Sequence, residues 1–288
     1  MQIQILKHSK AKIKHILNKY LQQDSNIPHM IMSQNIRLNS ELLKGKRNEN
    51  TLIIGENMHK SFYNYAIPNI LQMTGSYLII DTYNVMYDAT KETLEKNKYK
   101  IAITKLDDNF DSIKTILASF FYTKTAIFIE TEESPWCYEI INLYMYFIIK
   151  ILLSICSDQS ENEKIIHTHF VFNDLIDLNL MNDFLAVNRL YKNQISYLCT
   201  KNDFSFKHPE FYAYFDSILL IDNSSLKLNQ FFLDTLIPDA TKTYKQYKKR
   251  LNFQKCINAL QDNECIYHLR GYPYVVDKLF TTEEPSLN

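Results

Sequence analysis

Short apolar runs separated by turn residues dominate the first third of the chain. Thr51–Ile54 and Ser76–Ile80 are such runs, a pattern typical of strands that are buried on both faces of a parallel sheet. A helix from about Met86 to Lys96 and a third strand at Tyr99–Thr104 follow. Two successive strand–helix units with short connections predict a right-handed, parallel sheet covered by helices. The first two strands are expected to lie side by side as parallel neighbours.

Helical spacing of apolar residues dominates the later part of the chain. Ser134 as N-cap and Pro135 in the first turn predict a helix that runs to about Cys156. Its apolar run is far shorter than the roughly 20 residues that span a membrane, so it is predicted to be a core helix. Three further helical segments are predicted: Phe170–Asp203, Phe211–Ile221 and Ser225–Leu236.

These patterns predict three parts. Residues 1–24 are predicted to form a basic amphipathic helix, either a docking helix with a solvated basic face or a contact for a membrane surface or a nucleic-acid backbone. Residues 25–135 and 255–280 are predicted to form an α/β core, and residues 136–254 a mainly α-helical insert. The 288 residues are 46% hydrophobic, which is ample for a sizeable core.

Charge and cysteine content narrow the function classes. The 32 basic and 32 acidic residues balance, so any phosphate-binding surface must be a local patch. Five scattered cysteines without C-x-x-C spacing are typical of a reduced, cytoplasmic protein. No signal peptide opens the sequence.

The turn after the first predicted strand is the main candidate for chemistry. A phosphate-binding P-loop reads G-x-x-x-x-G-K-[ST], whereas here Lys60 comes five residues after Gly55 and follows His59. Met58 and His59 place side chains where phosphate oxygens need bare backbone. From this turn alone, an ordinary strand-to-helix turn with a chance Lys-Ser pair is favoured over an eroded P-loop.

The surrounding residues resemble the TraG-like coupling proteins, the hexameric P-loop ATPases of conjugation and type IV secretion. The resemblance is carried by three blocks in order and by a C-terminal block: Asn50–Gly55; Pro68–Met73 with Gly75–Asp81; Thr90 with Leu94–Ile101; and Asn263–Tyr274 with Asp277-Lys278. It implies a truncated RecA-like P-loop NTPase-type parallel sheet flanked by helices.

The resemblance also implies where a nucleotide would bind. The glycine-rich loop of the family lines up with Gly55–Ser61, and its Asp-Pro-Lys-Gly-Glu motif lines up with Asp81–Val85, where only the aspartate matches. The implied, degenerate nucleotide-binding residues are therefore Gly55, Lys60, Ser61 and Asp81.

The remaining catalytic parts of the family are missing from the sequence. No apolar strand is predicted to end in the second acidic motif, Asp-Glu, which positions magnesium and the attacking water in the family. No catalytic residue is therefore assigned and no cofactor is expected, with ATP and Mg²⁺ bound only if the loop still functions. His167-Thr168-His169 is either one edge of a metal site or, the favoured interpretation, a strand with two exposed histidines. No metal site is assigned.

A basic segment near the C-terminus is a second candidate site. Lysines and an arginine alternate there with Tyr244 and Tyr247, which fits either a solvated helix face or a contact for single-stranded nucleic acid. The residues concerned are Lys242, Lys245, Lys248, Lys249 and Arg250.

Three functions are compatible with the sequence. The favoured one is a shortened, non-catalytic relative of the conjugative coupling ATPases that acts in DNA transfer or substrate recruitment. Its partners would be type IV secretion components and DNA, as a homo- or hetero-oligomer in the cytoplasm or peripherally at the cytoplasmic face of the membrane. The alternatives are an active ATP-binding DNA-translocation ATPase and a small nucleic-acid-binding accessory protein.

Overall fold

A computed structural model describes the chain in segments. They are residues 29–39, 50–55, 57–81, 83–105, 115–117, 120, 122–130, 143, 145–148, 150–151, 166–173, 195–201, 215–221, 254–270 and 274–281. The chain divides into two compact units. The first unit comprises Met1–Leu43, Thr51–Tyr65 and Thr200–Asn288, and the second comprises Lys44–Asn50 and Ala66–Cys199.

The described residues contain short strands and a few helices. The strands are β1 (His29–Ile31), β2 (Arg37–Asn39), β3 (Thr51–Ile54), β4 (Ser76–Asp81), β5 (Lys100–Lys105), β6 (Thr125–Glu130), β7 (Thr168–Asn173), β8 (Ile195–Lys201), β9 (Ser217–Leu220), β10 (Glu264–Leu269) and β11 (Val275–Lys278). The helices are α1 (Met58–Ser61), a π-helical segment (Phe62–Ala66), α2 (Ile67–Ile70) and α3 (Val85–Lys96).

The first unit is built on the apolar strand β3. Leu52, Ile53 and Ile54 are fully buried, as expected for a strand covered on both faces. β3 pairs in parallel with β9, β9 pairs antiparallel with β10, and β10 pairs antiparallel with β11.

The hairpin of β1 and β2 is hydrogen-bonded to β11 through the carboxylate of Asp277. Asp277 accepts hydrogen bonds from Ser33 Oγ at 2.5 Å, from Asn35 N at 3.0 Å and from Asn35 Nδ2 at 2.7 Å. Because Asp277 is buried and both its oxygens are paired, it is satisfied rather than available to a ligand.

The second unit contains the parallel sheet that the sequence predicts. β4 pairs in parallel with β6 on one side and with β7 on the other, and β5 pairs in parallel with β6. β8 follows β7 in the strand order. The predicted pairing of Thr51–Ile54 with Ser76–Ile80 is wrong, because both edges of β4 are taken. Local apolar patterns do not specify which strand becomes the neighbour.

Several predicted helices are strands in the structure. β7 overlaps the start of the predicted helical segment Phe170–Asp203, and β8 lies within that segment. β9 lies within the predicted helix Phe211–Ile221. The helical prediction is wrong at these residues, because apolar runs of four to seven residues fit a buried strand as well as a helix. The division at residues 24, 135 and 254 stays a prediction.

The predicted core helix after Ser134 is described only in part. Residues 145–148 are helical, with Met145 and Ile148 buried and Tyr146 and Phe147 exposed. In the described parts of the chain, we find no helix of the length and apolarity needed to cross a membrane.

Candidate functional site

The connection between β3 and α1 is short. Gly55 is buried at the end of β3, and α1 begins at Met58, so that two residues separate the glycine from the helix. A P-loop has four residues between its two glycines, and their backbone N–H groups curve around the phosphates. Here α1 begins before that number of residues is reached.

Asn57 satisfies the exposed N–H groups at the start of α1. Its Oδ1 accepts a hydrogen bond from Lys60 N at 3.1 Å, and its carbonyl oxygen accepts one from Ser61 N at 3.2 Å. Ser61 Oγ also donates to Asn57 O, at 3.4 Å. Phosphate oxygens would bind to N–H groups at such a helix start. Here the side chain of Asn57 accepts the hydrogen bond from Lys60 N, as an N-cap residue does.

Lys60 is engaged at the surface of the first unit. Its Nζ lies 3.9 Å from Asp262 Oδ1, and its side chain retains 22% of its exposure while that of Asp262 is fully exposed. Next to it the rings of His59 and Tyr63 stack with their centroids 4.2 Å apart. A surface ion pair of this length contributes little to stability, so it leaves the lysine available to a stronger anion.

Asp81 caps a helix in the second unit. It is 1% exposed at the end of β4, and its Oδ2 accepts a hydrogen bond from Tyr87 N at 2.8 Å. Burial raises the pKa of Asp81, the N–H groups of Tyr87, Met86 and Val85 oppose this rise, and the nearby charge of Asp88 adds to it. Its Oδ1 is buried and accepts no hydrogen bond from any residue that the structure describes.

Asn84, immediately before α3, has the same feature. It holds a left-handed backbone conformation, with φ 56° and ψ 15°, at the N-cap of α3. Its Oδ1 is buried and, among the described residues, finds no hydrogen-bond donor. Two acceptor oxygens three positions apart are therefore left without donors.

The two histidines before and within β7 are partly buried, which corrects the expected exposure. His169 Nε2 lies 2.7 Å from Thr74 Oγ1, and its ring stacks on that of Tyr77 at 5.0 Å. Burial lowers the pKa of His169 well below its usual value, and His167 adds to this shift. Over the described segments, no three or more His, Cys, Asp and Glu side chains are grouped to hold a metal ion.

Solved structures of P-loop proteins share this architecture. The bacterial conjugative coupling protein TrwBdeltaN70 matches in its trigonal form in complex with sulphate, with TM-score 0.55 and 11% sequence identity, over 99% of this chain and 98% of that chain. Its unbound monoclinic form matches with TM-score 0.54 and 10% identity, over 98% and 96%. The fold is that of a RecA-like P-loop NTPase. The predicted fold class is thereby confirmed.

A further neighbour is the genome packaging NTPase B204 of Sulfolobus turreted icosahedral virus 2 in complex with AMPPCP. It matches with TM-score 0.49 and 7% identity over 82% of this chain and 99% of that chain. No protein-family model matches the sequence, and neither does any curated protein. The resemblance to coupling proteins rests on the two TrwBdeltaN70 structures and holds at the level of the fold.

On this fold, the predicted site residues fall in different places. Gly55, Lys60 and Ser61 lie together in the first unit, at the connection from β3 to α1, whereas Asp81 belongs to the second unit. The basic residues 242–250 and the N-terminal residues 1–24 lie outside the described residues.

The polar carboxyl edge of the parallel sheet was missed by sequence reasoning. β4 ends at Asp81, β6 at Glu130 and β7 at Asn173, and parallel strands bring these ends to one edge. Asp81 and Glu130 are register partners. The signal for Asn173 is a six-residue run of threonine, histidine and apolar residues closed by Asn173-Asp174. The sequence predicts a strand at its first residues, 167–169, but a helix from Phe170 onward.

Proposed function

We propose that this chain is a non-catalytic relative of the conjugative coupling proteins that keeps their fold and no longer handles nucleotide. It would act in conjugation or in substrate recruitment for type IV secretion, as an interaction subunit. The observation that carries the proposal is the connection after β3, where α1 starts at Met58 and Asn57 caps the helix.

The chemistry of triphosphate hydrolysis supports the same conclusion. Catalysis there is mostly positioning and electrostatic stabilisation, so it needs a phosphate cradle, a metal ligand and an oriented water together. The cradle is too short by the count given above, and the N–H group of Lys60 is already bonded to Asn57. Neither ATP turnover nor a bound ATP–Mg²⁺ pair is expected.

An interaction role fits the exposed apolar side chains of the second unit. Leu143, Tyr146 and Phe147 are 57%, 40% and 42% exposed, which is unusual for large apolar groups of one helical segment. The proposed partners are components of a type IV secretion or conjugation apparatus, with DNA as a further candidate. The proposed location is the cytoplasm or the cytoplasmic face of the membrane, reached through those partners.

Calorimetric titration of the full-length chain with ATP and Mg²⁺ tests the loss of nucleotide handling. We expect no saturable heat from the wild-type chain. Saturable heat that disappears in Lys60→Ala but persists in Lys98→Ala, which removes an exposed lysine elsewhere, would overturn the proposal. Heat that is unchanged in Lys60→Ala would show binding away from this connection and leave the loss of the P-loop standing.

The genomic neighbourhood tests the proposed system independently of nucleotide. Genes for a relaxase and for channel subunits beside this gene are expected. Their consistent absence would count against a role in conjugation, whatever the result of the calorimetry.

A further inference from the structure

Two buried acceptor oxygens near the start of α3 form an arrangement that the fold itself does not require. Asp81 Oδ1 and Asn84 Oδ1 are both buried, and within the described part of the chain neither has a hydrogen-bond donor. A buried acceptor without a partner costs roughly 1–3 kcal/mol. Native structures keep few such atoms, and each one calls for an explanation.

The backbone at Asn84 makes the arrangement more specific. Asn84 adopts the left-handed conformation with φ 56°, although its side chain makes no capping hydrogen bond. A capping asparagine normally gains a hydrogen bond from the helix N–H groups. Here that function falls to Asp81 Oδ2, which accepts the N–H of Tyr87 at 2.8 Å. The amide oxygen of Asn84 is therefore free for another purpose.

We propose that Asp81 Oδ1 and Asn84 Oδ1 are protein ligands of a hydrated divalent cation of the Mg²⁺ or Ca²⁺ class. Carboxylate and amide oxygens are the ligands that these hard cations prefer, and Mg²⁺ in particular binds through one or two protein oxygens while keeping several waters. Asp88, four residues beyond Asn84 on α3, adds a negative charge that acts on Asp81.

The charge of the ligand follows from the chemistry of the two atoms. Both oxygens are acceptors and one belongs to a carboxylate, so an anion such as a phosphate is excluded and a cation is favoured. A bound cation would also compensate the buried negative charge of Asp81, which is 1% exposed. The site shares Asp81 with the implied nucleotide-binding residues but does not involve Gly55, Lys60 or Ser61, so a cation titration without nucleotide tests it separately from the proposed loss of nucleotide handling.

Titration with Mn²⁺ in the absence of nucleotide tests the site, with free Mn²⁺ followed by electron paramagnetic resonance and Mg²⁺ and Ca²⁺ added as competitors. We expect one site with a dissociation constant of about 0.1–1 mM, in the range of weak oxygen-ligated sites. Asp81→Asn keeps an oxygen for the N–H of Tyr87 but loses the charge, and it should weaken binding about tenfold or more.

Two changes at Asn84 sharpen the test. Asn84→Gly suits the left-handed conformation and removes the oxygen, so it should weaken binding even if Asp81→Asn fails to fold. Asn84→Asp should tighten binding because it adds a charge. Glu95→Gln, which removes an exposed carboxylate from the same helix, is the matched control and should leave binding unchanged.

Thermal unfolding gives a second readout. A ligand that binds only the folded state raises the unfolding midpoint, so Mg²⁺ should raise it in the wild-type chain and in Glu95→Gln but not in Asn84→Gly. Absence of a Mn²⁺ site in this range, or binding that is the same in wild type, Asp81→Asn and Asn84→Gly, would overturn the proposal.

Discussion

Asn57 caps the short helix α1 with its side chain. Its Oδ1 accepts the Lys60 N–H at the start of α1, 3.1 Å away. Asn57→Ala should therefore lower the free energy of unfolding by about 1 kcal/mol, the typical cost of losing an N-cap. Urea denaturation measures this, with Asn57→Asp, which keeps an acceptor oxygen, expected to retain most of the stability. Equal losses in both variants would contradict the capping role.

His268 makes stability depend on pH. Burial, with a smaller contribution from the charge of Arg270, lowers the pKa of His268 to about 4. Histidine in the unfolded chain has a pKa of about 6.5. Below that pH the unfolded chain therefore binds a proton at this residue, whereas the folded chain does not until the pH approaches 4. Stability is full above about pH 6.5 and is lost as the pH falls towards 4, by up to about 2 kcal/mol at pH 5.

Urea denaturation at pH 7.5 and at pH 5 measures this effect. His268→Gln carries no titrating ring and should show a smaller difference between the two conditions. His169, whose pKa is also lowered by burial, leaves a residual slope in that variant. A wild-type chain and a His268→Gln chain with the same pH dependence would refute the assignment to His268.

At the scale of elements, the backbone is closely packed where β4 begins beside the chain that leads into β7. A Cβ on Gly75 would lie 2.0 Å from the carbonyl oxygen of His167, and that oxygen also accepts the Ser76 N–H at 2.8 Å. Gly75→Ala must push the two strands apart, so we expect it to destabilise the protein by about 1–3 kcal/mol or more.

Thermal unfolding of Gly75→Ala measures this cost. The matched control is Lys100→Ala, which truncates an exposed residue at the start of β5 and should leave the midpoint nearly unchanged. A Gly75→Ala midpoint equal to that of wild type would show that the two strands can separate without cost.

A comparison of α3 with the strands β7 to β9 shows which elements can be predicted from the sequence. α3 was predicted at Met86–Lys96 and lies at Val85–Lys96, because its apolar spacing and its asparagine C-cap are local signals. β8, β9 and the part of β7 from Phe170 were missed because short apolar runs carry no period that separates strand from helix. The neighbour of β4 was missed as well, since the pairing of strands as far apart in sequence as Ser76 and Thr168 depends on the whole sheet.

Some features of the candidate site can likewise be predicted from the sequence, and others cannot. The missing residue between Gly55 and Lys60 is a count that the sequence supplies directly. The cap by Asn57 follows a known preference for asparagine before a helix, but it requires the start of α1, which the sequence did not fix. The donorless oxygens of Asp81 and Asn84 depend on atomic positions, which no spacing rule provides.

At the scale of the whole molecule, the fold and the handling of nucleotide depend on different residues. Apolar strands such as β3 and β4 bury every residue, and a fold held by such burial tolerates extensive sequence change. This is compatible with a coupling-protein fold at 11% identity. Nucleotide handling instead depends on the length and composition of one connection, so it can be lost while the fold remains.

The insertion of one residue tests whether the connection between β3 and α1 is by itself the reason for the proposed loss of ATP binding. A single glycine placed between His59 and Lys60 converts Gly55–Ser61 into G-E-N-M-H-G-K-S, which fits the complete P-loop pattern. If the scaffold is otherwise intact, calorimetry should detect ATP binding in this variant. An alanine inserted at the same place keeps the length but adds a side chain, and it should stay silent, as should the glycine insertion combined with Lys60→Ala. A folded glycine-insertion variant without ATP binding would show that the loss extends beyond the loop.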